Sequence, residues 1–233
     1  MVAEQTKAEH MRAELITNVS HDLKTPLTSI VNYVDLLSRE PMSSDTAEEY
    51  VDVLKRQAAR LKKLTTDLVD ASKASTGNLT VELQPTNVQV LLGQFSGEYD
   101  ERLLERDLEL KLSMPEEPLY ILADGRQLWR IFDNLLNNAC KYAMQGTRVY
   151  LDAAADAQAG TGTMKNISAA PLNVSPDELM ERFVRGDASR HSDGSGLGLS
   201  IARSLTELMG GELRLTLDGD LFKALVSLKK VSG

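Results

Sequence analysis

Three groups of residues in this chain of 233 have side chains and spacing suited to chemistry. The first is His21-Asp22, with Thr25 four residues after the histidine and Pro26 following. An exposed imidazole titrates near neutral pH and offers a nucleophilic ring nitrogen, so His21 can accept a group delivered from elsewhere. Asp22 can hold the other ring nitrogen or take its proton. Thr25 falls one helical turn along on the same face, and Pro26, lacking a backbone donor, is expected to bend the helix. The second group is Asn134, Asn138 and Lys141, at helical spacing, with Tyr142 beside them. An asparagine carbonyl can ligate a hard cation such as Mg2+, a lysine can meet phosphate and a tyrosine ring can cover a base. Asparagine is a poor helix former, so two of them in a helix interior point to a ligand role more than two glutamines would, without deciding it. The third group is Gly194, Gly196, Leu197 and Gly198, opening an apolar helix pattern of Ile201, Leu205 and Leu208. Glycines there let backbone amides approach an anion at the positive end of a helix. A tight loop is the bland reading, and the spacing matches neither a Rossmann fingerprint nor a Walker loop.

These groups need elements to hold them. Leu15, Val19, Leu23, Leu27, Ile30, Val34 and Leu37 recur in steps of three and four, predicting a helix to about Arg39 with His21 well off the apolar stripe. Pro41 breaks it, and Asp45 or Thr46 can cap a second helix through Val51, Leu54, Ala58, Leu61 and Leu64, ending at Thr76-Gly77-Asn78. A two-helix hairpin buries one stripe and leaves its edges open. Two copies close a four-helix bundle, so a homodimer is expected.

After Gly77 the period changes. Leu79–Leu83 alternates as a short strand, Val88–Arg106 has a helical pattern, and Leu108–Leu112 and Leu119–Leu122 are expected strands. Asp124 and Gln127 have capping-box spacing at the head of a helix running to about Met144, with Leu128, Ile131, Leu135 and Ala139 as its buried stripe. Ala153–Thr163 is small and polar enough for a mobile hairpin connection, and Leu213–Leu217 turns through Asp218-Gly219-Asp220 into a final strand. The order of elements predicts an α+β sandwich, not a doubly wound sheet.

Composition limits the partners. A hydrophobic share of 42% indicates a globular chain, and a net charge of −8 gives no basic field for nucleic acid or an anionic membrane. The single cysteine, Cys140, excludes a disulfide framework within the chain and is expected to pack. No run of eighteen apolar residues occurs, so the chain is expected to be soluble. His10 and His191 carry no signal of their own.

His21-Asp22-Leu23-Lys24-Thr25-Pro26-Leu27 resembles the phosphoacceptor box of sensor histidine kinases of two-component systems. Asn134 to Tyr142 resembles the asparagine box of the same kinases, and Gly194 to Leu199 their second glycine box. Glu181 to Arg190 resembles the phenylalanine box and lid. The resemblance implies that His21 is phosphorylated, that Asp22 is its acid–base partner and that Thr25 positions water for dephosphorylating a response regulator. It implies an ATPase domain of the histidine-kinase/Hsp90-like type, with Asn138 holding Mg2+, Lys141 on the phosphates, Tyr142 on the adenine side and Asn134 facing nucleotide. Phe183 would anchor the lid and Arg190 approach the terminal phosphate, while Arg185 fits a solvated position equally well.

One box departs from the pattern. Asn166, Ser168 and Ala170 stand where the family carries Asp-x-Gly-x-Gly, whose aspartate accepts from the adenine amino group. A neutral amide still accepts, more weakly than a carboxylate, and the lost glycines remove easy access to positive φ. The resemblance thus implies a linker at 1–12, a dimerisation and phosphotransfer hairpin at 13–77 and an ATP-binding domain at 78–233. It implies the cytoplasmic portion of a cell-membrane protein whose sensor segment lies outside this chain. A phosphatase-dominant or scaffold module, and an ATP-gated clamp or serine kinase on the same ATPase fold, are the alternatives; the last two have no need of the histidine hairpin.

Overall fold

The computed structural model describes residues 23, 26–37, 39, 44–75, 79–180 and 196–232. The chain divides into two compact units, Met1–Asp70 and Ala71–Gly233.

The first unit is a helical hairpin. Residues 26–37 form α1, and α2 begins at Asp45 and continues to Ser75. The cap of α2 is neither Asp45 nor Thr46 but Ser44, whose hydroxyl accepts from the Ala47 N–H at 3.1 Å. Serine is a strong N-cap, and placing it there leaves Asp45 and Glu48 in the first turn, where carboxylates favour the helix dipole. Tyr33 of α1 meets Tyr50 of α2 edge to face, ring centroids 5.5 Å apart. The expected end at Gly77 lies outside the described residues.

The second unit is an α+β sandwich of one sheet and one helical layer. Its elements are β1 (Gln84–Asn87), α3 (Val88–Leu104), β2 (Leu108–Ser113), β3 (Tyr120–Ala123), α4 (Gly125–Tyr142), β4 (Thr147–Ala155), β5 (Ala159–Ile167), α5 (Pro176–Met180), α6 (Gly198–Leu208), β6 (Glu212–Asp218) and β7 (Leu221–Val231). The described sheet runs β1-β3-β7-β5-β4-β2, with β6 also paired to β7. All pairings are antiparallel except β2 with β4. Alternate residues of the long strands are buried: Val149, Leu151 and Ala153 on β4, Gly160, Gly162 and Met164 on β5, Phe222, Ala224, Val226 and Leu228 on β7. The opposite face carries Tyr150 and an ion pair between Lys165 and Asp152 at 2.6 Å. Burying each large side chain of this core contributes about 2 kcal/mol, and α3, α4 and α6 supply the other half of it.

Several boundaries differ from expectation. Leu79–Leu83 is not a strand; Leu79 and Val81 pack on the core, but the Glu82 N–H donates to the Asp124 carboxylate instead of to a ladder. The strand is Gln84–Asn87, which contains Pro85; β1 pairs on one side only, so a missing donor is tolerated. Ala153–Thr163 is mostly strand, not a mobile connection: only residues 156–158 lie between β4 and β5. Its small residues make room for side chains packed over the sheet. A Cβ on Gly162 would stand 2.5 Å from Cζ of Phe132, and one on Gly160 2.4 Å from Cγ2 of Ile121.

Candidate nucleotide-binding site

The asparagine-bearing helix, α4, is fixed at its start by Asp124. One carboxylate oxygen accepts from the Arg126 and Gln127 N–H groups at 2.9 and 3.3 Å, the other from Glu82 N–H at 3.1 Å. The return half of the expected capping box is not made. The Asp124 N–H instead points to Sδ of Met209, at 3.3 Å, and the Gln127 side chain accepts from Arg130. Asp124 thus ties together the segment entering the unit, the head of α4 and the end of α6.

Leu128, Ile131, Leu135 and Ala139 form the buried stripe of α4, as their period requires. Asn134 lies beside that stripe and is nearly buried. Its Nδ2 donates to the Arg130 carbonyl at 2.9 Å. Its Oδ1 lies toward Gly198, the first residue of α6, where an added Cβ would stand 3.2 Å away. One turn on, Asn138 is half-buried; Lys141 is exposed and Tyr142 half-buried.

The start of α6 is built for close approach. Gly196 has φ +67°, Leu197 is buried, and the Leu197 side chain makes no cap hydrogen bond. The Ser200 hydroxyl donates to the Leu197 carbonyl at 2.9 Å, so it does not serve the first-turn amides. Amides in that arrangement favour an anion, and α4 packs directly against α6.

The departing box lies beside the end of α4. Asn166 and Ser168 are buried on the helix-facing side of β5, and Asn166 Nδ2 donates to the Ile167 carbonyl at 3.3 Å. The segment is tied to the end of α4: Ala169 N–H donates to the Tyr142 carbonyl and Met144 N–H to the Ile167 carbonyl, both at 2.8 Å. Ser168 N–H reaches the Asp220 carbonyl at 2.7 Å. No residue from Asn166 to Ala170 has positive φ, so this backbone has no need of the missing glycines.

A further set escaped sequence reasoning. Tyr99 of α3 donates its hydroxyl to Asp133, Arg102 donates to Oδ1 of Asn137 at 2.7 Å, and Arg106 donates to the Cys140 carbonyl at 3.0 Å. Burial and the neighbouring Asp133 carboxylate hold the Tyr99 phenol well above the ordinary tyrosine range. Burial likewise pushes the Cys140 thiol up, which leaves it a packing residue.

The structure therefore brings together Asn134, Leu197 and Gly198, joins the Asn166 segment to Tyr142, and places Asn138 and Lys141 on successive turns of the same helix. His21, Asp22, Thr25, Phe183, Arg185, Arg190 and Gly194 lie outside the described residues. Amide oxygens, an exposed lysine and the N-terminus of a helix opened by glycine are a donor set suited to a metal-bound polyphosphate.

A two-layer sandwich with these groups at one end of its helical layer defines a class, and comparison with known proteins agrees with it. Residues 11–77 match the His Kinase A (phospho-acceptor) domain, and residues 123–229 the family described as histidine kinase-, DNA gyrase B-, and HSP90-like ATPase. The sensor protein VanSC of Enterococcus gallinarum is 28% identical over 89% of this chain, and the match spans 58% of that relative. Among solved structures, Acinetobacter baumannii histidine kinase AdeS aligns with a TM-score of 0.74 at 18% identity, covering 91% of this chain and 98% of that one. Histidine kinase ThkA in complex with response regulator protein TrrA aligns with a TM-score of 0.67 at 16% identity, over 98% of this chain and 66% of that one. The chain belongs to the sensor histidine kinases of two-component systems.

Proposed function

We propose that this chain is the phosphotransfer and catalytic portion of an ATP-dependent protein-histidine kinase. The observation that carries the reading is the seating of the Asn134 carboxamide against Gly198 at the open start of α6. Bound Mg2+ would supply charge neutralisation on the polyphosphate, and the Asn138 carbonyl is the hard oxygen donor placed to hold it. The first amides of α6, from Leu197 and Gly198 onward, meet phosphate oxygens, with Gly194 and Gly196 shaping the loop before them. Lys141 adds charge on the phosphates, and Arg190 approaches the terminal one. Tyr142 covers the base. Asn166, its Nδ2 engaged by the Ile167 carbonyl, keeps Oδ1 to accept from the adenine amino group. An Asn166→Ala protein that binds ATP as tightly as the parent would sink that contact.

In the transfer step a ring nitrogen of His21 attacks the γ-phosphorus, an N–P bond forms, the bond to the bridging oxygen breaks and ADP leaves. Asp22 orients the imidazole and takes its proton. Positioning and charge stabilisation carry most of the acceleration. The phosphoryl group passes to an aspartate of a response regulator, a partner supported by the ThkA–TrrA complex. Thr25 positions water for the reverse, phosphatase activity. The functional division falls near residue 77, with an entry linker before residue 13. The resemblance to a sensor protein over part of its length supports a cytoplasmic portion of a membrane sensor.

The test is incubation with γ-labelled Mg-ATP. Acid-labile label that disappears in His21→Gln supports the kinase; label that persists there, or none under conditions where ATP binds, overturns it.

A further inference from the structure

α4 has two polar faces in alternation. Asn134, Asn138 and Lys141 are each immediately preceded by a residue engaged with α3 or the turn after it: Asp133, Asn137 and Cys140. The partners are Tyr99 and Arg102 on α3 and Arg106 in the turn just after it, so the pairs keep an almost constant offset of 34 or 35 residues and the helices run side by side in the same direction. In the first halves of the two helices the contact is aromatic, with Phe95 stacked on Trp129 at 3.9 Å and near Phe132. In the second halves it becomes directional: a buried hydroxyl on a carboxylate, a guanidinium on an amide oxygen, and a second guanidinium on a backbone carbonyl. Arg102 also lies over the Tyr99 ring, 4.5 Å from its centroid, joining two of these contacts.

Apolar packing tolerates rotation of a helix about its axis; paired hydrogen bonds do not. Side-chain atoms stand about 5–6 Å from a helix axis, so a turn of roughly 10° displaces them by about 1 Å. A shift of that size is enough to spoil a reacting geometry.

We propose that Tyr99 and Arg102 are positioning residues that fix the rotation of α4 and so aim Asn134 and Asn138 at metal-bound nucleotide. This rests on the nucleotide reading above. Neither residue touches the nucleotide; both act through Asp133 and Asn137.

The experiment measures binding of ATP, with Mg2+ and with EDTA, by displacement of a fluorescent nucleotide from the full chain. Tyr99→Phe keeps the packed ring, and Arg102→Met changes an exposed end that folding does not need. Both are expected to lower the Mg2+-dependent gain in affinity on the order of tenfold, leaving EDTA-bound affinity near the parent and, for Arg102→Met, the nucleotide-free melting temperature as well. Arg102→Lys, which keeps a donor, is expected to recover part of the loss. A fall in melting temperature with the Mg2+-dependent gain intact in both variants would assign the contacts to stability alone and overturn the proposal. A parent that binds no nucleotide overturns the nucleotide reading itself; a parent that binds, with variants equal to it, overturns only this inference.

Discussion

A methyl group on Gly198 would stand 3.2 Å from Oδ1 of Asn134, closer than ordinary van der Waals contact. The Asn134 amide is held by Arg130 on one side, so it has little freedom to retreat. Gly198→Ala is therefore expected to weaken Mg-ATP binding on the order of tenfold, the worth of one charge-assisted hydrogen bond. Alanine is otherwise the better helix former, so the nucleotide-free melting temperature should hold or rise; a nucleotide titration beside a thermal melt separates the two. The candidate ligands on α4 were legible because a single helix displays them at its own period. Asn137 and Asp133 were not, although they stand beside those ligands on the same helix. Their partners are 34 or 35 residues away on α3, and nothing in a local pattern records that pairing. Asn166 was legible only by counting back from a neighbouring box. That its backbone does without positive φ had to come from coordinates.

At the scale of elements, Asp124 does more than the cap its spacing foretold. Besides the two α4 amides it satisfies Glu82 N–H, which belongs to no ladder. Asp124→Ala removes a cap worth about 1 kcal/mol and strands a partly buried donor at a further 1–3 kcal/mol. A loss of about 2–4 kcal/mol in urea unfolding is expected, larger than for a cap alone. The α3–α4 contact has its own signature. Tyr99 has a raised folded-state pKa, so the stability it lends is whole below the ordinary value of 10.0 and drains as pH rises above it. The slope approaches about 1.4 kcal/mol per pH unit. Tyr99→Phe is expected to flatten that alkaline limb in unfolding experiments between about pH 10 and 11, while lowering stability at neutral pH. Local pattern misplaced two elements. Leu79–Leu83 alternates because one side packs on the core, without any strand beside it to pair. Ala153–Thr163 looked like a connection because its residues are small, when the small residues make room for Phe132 and Ile121 against β5.

At the scale of the molecule, the hairpin has apolar surface that one copy does not bury. Leu27, Val31 and Val34 are 52%, 59% and 51% exposed and lie at helical spacing along α1. On α2, Val51, Leu54, Leu61 and Leu64 are only half-buried. The sandwich offers a contrast, since its helices and one sheet face bury a common core within the same chain. A stripe left open on a hairpin is what a second hairpin covers in a four-helix bundle, and burying three such side chains twice over contributes several kcal/mol. The parent is therefore expected to sediment at twice 25.6 kDa at micromolar concentration. Val31→Glu places a carboxylate in the middle of that stripe, where a second copy would bury two of them, and is expected to give monomers. Because the substitution lies outside the sandwich, its ATP binding should match the parent's, so loss of dimer and loss of nucleotide can be told apart in one preparation. A parent that is monomeric at those concentrations, or a Val31→Glu protein that stays dimeric, would show that this stripe is not the surface on which two copies meet.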